Sequence, residues 1–152
     1  MGLNFSTYGA SFVNVGENGQ PVTPLYNYLK DFPEDLLAEF FEKYPEEINN
    51  QETASPTLGM LNSGLQLYWL KKVKPELFEK VHYSLHLPQY MSFIFTGKYV
   101  SEPTSIGCHT RLWDFTTNDY HPWVKEEGID KVLAEIVPTT HVIPTKICGQ
   151  LV

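Results

Sequence analysis

Apolar positions come in short alternating runs at the start of the chain. Leu3–Tyr8 and Ala10–Val15 are rich in aromatic and β-branched residues and read as strand, with Gly9 between them marking a bulge or a close backbone approach. Gly16–Pro21 carries Asn18-Gly19, a dipeptide suited to a turn with positive φ, and Pro21–Tyr26 returns as a strand confined by its two prolines to an edge. The chain is therefore expected to open on a β-hairpin. The period then changes to that of a helix. Leu36, Leu37, Phe40 and Phe41 share a face, the start lies at Asp31 or Pro33, Glu34 and Asp35 occupy the first turn, and Pro45 stops it. Glu46–Pro56 is polar and reads as a surface loop or a short helix.

Asn62-Ser63 can cap a helix through Leu65, Leu67, Trp69 and Leu70 that ends on Lys71, Lys72 and Lys74. Pro75-Glu76 opens a short helix through Leu77, Phe78 and Val81. His82–Leu87 alternates like a strand, and Pro88 starts a helix, Gln89–Phe95, that Gly97 ends. Tyr99–Phe115 is turn-rich with a strand expected at Arg111–Phe115, and Gly128–Asp130 caps a last helix, Lys131–Ile136. Neither repeat nor linker interrupts this order, so the chain reads as one mixed α/β unit.

Composition narrows the class. With 152 residues, 42% apolar and 14% aromatic, the chain can bury a core and is no disordered segment. Two cysteines, Cys108 and Cys148, exclude a disulfide-dense scaffold and suit a reducing, cytoplasmic setting. A net charge of −7 argues against a sequence-independent grip on nucleic acid, and no apolar run is long enough for a membrane span. Both ends are apolar where chain ends are usually polar and exposed, which implies that neighbouring elements have been cut away.

Candidate chemistry is sparse. His82 and His86 would share a strand face but lack a third ligand, so no metal site is expected. Cys108-His109 are adjacent in sequence, whereas catalytic pairs meet in space, so a hydrolase is disfavoured. Glu102 and Asp114 flank that stretch and suit turns. Glycine-rich phosphate loops are absent, Gly16 and Gly19 belonging to the hairpin turn. What remains is a set of hydroxyls, amides and flat rings, Ser6, Thr7, Tyr8, Tyr26, Asn27 and Tyr28, of the kind that receives a sugar, its C–H faces on rings and its hydroxyls in hydrogen bonds. Tyr on a strand more commonly packs than binds.

The order of segments resembles the amino-terminal domain of the FGGY carbohydrate kinases, over nearly the whole chain. The resemblance rests on Gly2-Leu-Asn-Phe-Ser-Thr-Tyr-Gly-Ala10, Gly16-Glu-Asn-Gly-Gln-Pro-Val22, Leu61-Asn-Ser-Gly-Leu-Gln-Leu-Tyr-Trp-Leu70, Lys74-Pro-Glu76 and Leu85-His-Leu-Pro-Gln-Tyr-Met91. Phe95-Thr-Gly-Lys-Tyr-Val-Ser101, Thr104-Ser-Ile-Gly-Cys-His-Thr-Arg-Leu-Trp-Asp114 and Ile136-Val-Pro138 continue it. It implies an actin-like ATPase, ribonuclease-H-like α/β fold with a mixed sheet and flanking helices. It also implies transfer of phosphate from ATP, with Mg2+, to a sugar or polyol hydroxyl. On that resemblance Ser6, Thr7 and Tyr8 fall on the family's substrate contacts, Tyr26 and Asn27 on its Trp-Asn pair, and Asn62 near an aromatic lining the pocket.

The resemblance has departures. The family's Asp after the Trp-Asn pair is Tyr28, its Arg is absent with Lys30 one residue earlier, and its lysine before the helix tryptophan is Gln66, while Trp69 is kept. The block from Thr104 to Thr110 looks closest to the deoxy-sugar kinases. The family's Asp-x-Gly-Thr phosphate turn, its catalytic base in Gly-Asp-x-x-Ala and its ATP domain are not in these residues. The resemblance thus implies residues 1–152 as a truncated, sugar-side part of an amino-terminal domain, whose partners are a sugar and the rest of its own kinase chain, with self-association open. The part itself is expected to be inactive. A non-catalytic carbohydrate-binding or structural module derived from the family is the alternative.

Overall fold

Acidic residues in a first turn and an apolar stripe at helical spacing build the helix that anchors the molecule. A computed structural model describes residues 2–147, 150 and 151. In it Glu34–Lys43 forms α1, with Glu34 and Asp35 in the first turn, Lys43 in the last, and Leu36 and Phe40 buried. Pro45 precedes α2, Glu46–Thr53, so the polar stretch forms a short helix closed by Ala54 in the left-handed region. A 3-10 turn, Gly59–Leu61, leads into α3, Ser63–Val73, and Pro75 at the first position starts α4, Pro75–Phe78. Pro88 sits in the first turn of α5, Leu87–Thr96, which Gly97 closes at φ 66°.

The strands depart further from expectation. β1 is Phe12–Val15 alone and pairs antiparallel with β2, Tyr83–His86. Leu3–Tyr8 joins no ladder. The hairpin is reduced to its turn: Gly19 takes φ 73°, Val15 bridges Pro21, and Val22 N–H donates to the Asn14 carbonyl at 2.9 Å. Pro21 and Pro24 have no N–H to offer, so no returning strand extends to Tyr26. β3, Val100–Ser101, is followed by the short helix α6, Pro103–Ile106. The strand expected from Arg111 shrinks to β4, Trp113–Asp114, paired with β5, Asp119–Tyr120. Arg111 itself adopts φ 65°, which a strand cannot contain.

An unforeseen helix, α7, covers Pro122–Glu126, and its preceding His121 accepts from the Trp123 N–H. The expected last helix resolves into a 3-10 turn, Asp130–Val132, and β6, Glu135–Ile136, which pairs parallel with β3. A parallel bridge, Ser84 to Leu133, gives the strands mixed directions. β7, Lys146–Ile147, and β8, Gln150–Leu151, pair antiparallel. The main core gathers Phe12, Phe40, Leu65, Leu67, Tyr68, Leu112 and Trp123 from β1, α1, α3 and the segment that ends in α7. This core fixes the elements that carry the candidate site.

Candidate functional site

The path from sequence to site starts at a turn. Ser11 N–H donates to the Tyr8 carbonyl at 3.3 Å, with Gly9 and Ala10 at the corner, so Ser6, Thr7 and Tyr8 lead into a tight reversal just before β1. All three side chains are exposed, Tyr8 by 71%, and with Leu87 they line a shallow, open depression. The far side of the turn is fixed. Leu87 N–H donates to the Ser11 carbonyl at 2.9 Å, and the Ala10 carbonyl accepts from Gln66 Nε2 at 2.7 Å.

The other expected site residues fare differently. Tyr26 is half buried, its ring edge-on to Trp69 at 4.9 Å, and the Lys74 ammonium lies 5.5 Å and 5.4 Å from the two ring centres. Its hydroxyl is buried without a hydrogen-bond partner. Asn27 is exposed and closes its own turn, Oδ1 accepting from Leu29 N–H at 2.9 Å. Asn62 is fully buried. Its Oδ1 accepts from Leu58 N–H at 2.7 Å and Arg111 Nε at 3.4 Å, while Nδ2 donates to the carbonyls of Pro56 at 3.1 Å and His109 at 2.8 Å. Asn62 stands directly before α3, as expected, but its side chain makes no cap; it ties loops together instead. Ser6, Thr7 and Tyr8 are thus brought together at the surface, and Asn62 lies inside.

The remaining sequence candidates are spent on structure. His82 lies outside β2 and is exposed, whereas His86 is buried, stacks on Phe12 at 4.0 Å and lies 2.9 Å from Ser63 Oγ. Burial pulls the His86 imidazole down to about 4, so it is neutral near pH 7. Glu102 caps α6 through the N–H groups of Thr104 and Ser105, and Asp114 holds the Thr116 turn. Cys108 is exposed, and Cys148 lies outside the described residues. Among the described residues no group of three or more His, Cys, Asp or Glu could hold a metal ion.

Two buried charges carry no signal in the sequence. Arg111, fully buried, donates to Asn49 at 2.5 Å, Thr57 at 2.7 Å and Asn50, and burial lowers its guanidinium to about 10. Glu127 is 6% exposed and meets Lys43 at 2.8 Å, Lys71 at 3.2 Å and Lys72 at 3.6 Å. Burial opposes its charge, but hydrogen bonds from Lys43 and Lys71 outweigh that and bring the carboxyl down to about 2. Both knit the core and neither reaches the depression beside Tyr8.

Residues 1–147 match the N-terminal domain of the FGGY family of carbohydrate kinases. The rhamnulokinase of Halalkalibacterium halodurans is 27% identical, aligned over 93% of this chain and 36% of its own length. That of Oceanobacillus iheyensis is 29% identical over 75% of this chain and 25% of its own. Among solved structures, a carbohydrate kinase from Novosphingobium aromaticivorans superposes with a TM-score of 0.80 at 30% identity, covering 93% of this chain and 29% of that one. Plasmodium falciparum glycerol kinase with ADP shares the fold at a TM-score of 0.80 and 19% identity, over 96% of this chain and 30% of its own. The chain spans about a third of the length of these relatives.

Proposed function

Because the chain belongs to the FGGY family of carbohydrate kinases, matching their N-terminal domain over residues 1–147, we propose that it forms the sugar-side surface of an ATP-dependent sugar kinase. The fold is accordingly of the actin-like α/β type found in that family. In this reading the chain orients a sugar or polyol hydroxyl, and the rest of a longer kinase chain supplies the base and the charge stabilisation that phosphoryl transfer requires. The observation that carries the reading is the exposed trio Ser6, Thr7 and Tyr8 on a turn held from beneath by Gln66 and Leu87. Its free hydroxyls and flat ring suit a polyhydroxy ligand.

In this reading Tyr26, packed on Trp69 beside Lys74, and the exposed Asn27 are further sugar contacts, while Asn62 ties together the loops before α3. The sequence has no glycine-rich phosphate loop, and among the described residues no group of three or more His, Cys, Asp or Glu could hold a metal ion. In this reading ATP and Mg2+ are bound by the parent kinase, and residues 1–152 alone are expected to turn over nothing. The matched rhamnulokinases favour a deoxy-ketose as the acceptor. A cytoplasmic setting, where ATP is present, fits this chemistry, and no helix among the described residues could cross a membrane. Exposed Leu3, Leu29 and Ile94 leave apolar surface for the rest of the kinase chain or for a second copy.

A non-catalytic sugar-binding module is the second reading, favoured by Tyr28 and Gln66 where the family resemblance expects Asp and Lys. An ATP-consumption assay coupled to L-rhamnulose, xylulose and glycerol separates the two. The parent chain is expected to phosphorylate one of the panel while residues 1–152 do not; a parent that binds sugar without consuming ATP would establish the module instead.

A further inference from the structure

The Tyr8–Ser11 turn presents the proposed sugar contacts, yet nothing in the turn itself fixes its height above the protein. Its internal hydrogen bond is long, 3.3 Å, and the side chains before it are exposed. Two groups reach it from outside. Leu87 N–H holds the Ser11 carbonyl from β2's end, and Gln66 Nε2 holds the Ala10 carbonyl at 2.7 Å. The same nitrogen donates at 2.6 Å to the carbonyl of the buried Met60, in the 3-10 turn ahead of α3. One primary amide, 5% exposed, thereby satisfies two carbonyls with its two N–H bonds and ties the corner of the turn to the start of α3.

The first turn of α3 is itself immobilised, which makes it a useful reference point. Gly64 N–H donates to the Thr110 carbonyl at 2.8 Å, and a side chain there would collide with that carbonyl at 2.6 Å. Ser63 Oγ meets the buried His86. Gln66 thus transmits the position of a rigid helix start to a turn whose outward face is open.

We infer that Gln66 is a positioning residue for sugar binding, setting where Tyr8 and the residues before it stand relative to α3. This rests on the proposed sugar-side reading. Gln66 touches no ligand in this arrangement; it acts through the Ala10 carbonyl. A methionine of similar length would fill the space and leave both carbonyls without a donor, so the corner would be free to lift. A lysine would return an N–H donor at the same place.

The test uses residues 1–152 with L-rhamnulose, xylulose and glycerol as probes, reading sugar affinity by NMR titration and hydrogen exchange at the Ser11 amide. Gln66→Met is expected to weaken sugar binding at least tenfold and to speed Ser11 exchange at least tenfold, with Gln66→Lys returning both to within threefold of wild type. Tyr68→Phe, which loses a bond to Glu39 from the same helix, controls for general destabilisation and is expected to leave both readouts unchanged. If wild type binds one of these probes and Gln66→Met binds it equally well, the positioning role is overturned while the sugar-side reading stands. Unchanged Ser11 exchange in Gln66→Met overturns it as well. If wild type binds none of the three probes although Ser11 exchange responds, it is the sugar-side reading that fails, and the role in binding goes with it.

Discussion

In one region of the molecule Glu127 collects Lys43, Lys71 and Lys72 around a nearly buried carboxylate, and Arg111 collects Asn49, Asn50 and Thr57 around a buried guanidinium. In another, Ser6, Thr7 and Tyr8 expose hydroxyls to water. The first region uses polar groups as fasteners, spending them on one another. The second leaves them uncommitted, and only uncommitted groups can bind something else. Asn62 teaches the same point: by residue type it belongs with the second set, but its saturated amide places it in the first.

The largest expected effect falls in the fastened region. Trp123 is fully buried, edge-on to Phe40 at 5.1 Å, and its Nε1 donates to the Arg111 carbonyl at 2.7 Å. Trp123→Ala is expected to cost about 3–5 kcal/mol, because it leaves a cavity and an unpaired carbonyl. Urea denaturation measures this; a loss of only a few tenths would show that the aromatic cluster is not a fastener.

Next comes Glu127. Its carboxyl is held below the usual 4.5, at about 2, so its contribution is complete above about pH 4.5 and is lost as the pH falls towards 2. Wild type should lose stability across that window. Glu127→Gln should begin about 1–3 kcal/mol less stable at pH 7 and show a flatter acid limb. Thermal melts over a pH series test the sign.

The smallest stability effect is expected in the open region. Ser6→Ala and Tyr8→Phe remove hydroxyls with no partner to lose, so unfolding should shift by less than about 0.5 kcal/mol. L-rhamnulose affinity, read by titration, should nevertheless drop severalfold. Stability losses above about 1 kcal/mol with unchanged affinity would erase the distinction between the two regions.

What the sequence made legible follows the range of the interactions. α1 could be read because its apolar stripe and first-turn acids lie within ten residues, and Gly97 and Gly19 announce their positive φ by type alone. The returning strand after Gly19 could not, since alternation proposes a strand while Pro21 and Pro24 withhold the N–H groups that would carry its pairing with β1 beyond Val22. Arg111 and Glu127 were silent because their partners stand 49 to 84 positions away. Of the proposed site, Ser6, Thr7 and Tyr8 were visible mainly through their place in the family pattern. Nothing local could reveal that Gln66 supports them, as Ala10 lies 56 positions distant.

The grip of Arg111 also bears on how the chain reaches this state. Its hydrogen-bond partners precede it by 49 to 62 positions, and its carbonyl receives Trp123 twelve positions later. Long loops must close before those contacts form, which slows folding relative to a helical bundle of equal length. During synthesis Asn49 and Asn50 emerge well before the residue that satisfies them, so the nascent chain waits with an unfinished centre. Refolding measured from denaturant should accordingly be limited by closing the long loops that bring Arg111 to Asn49 and Asn50.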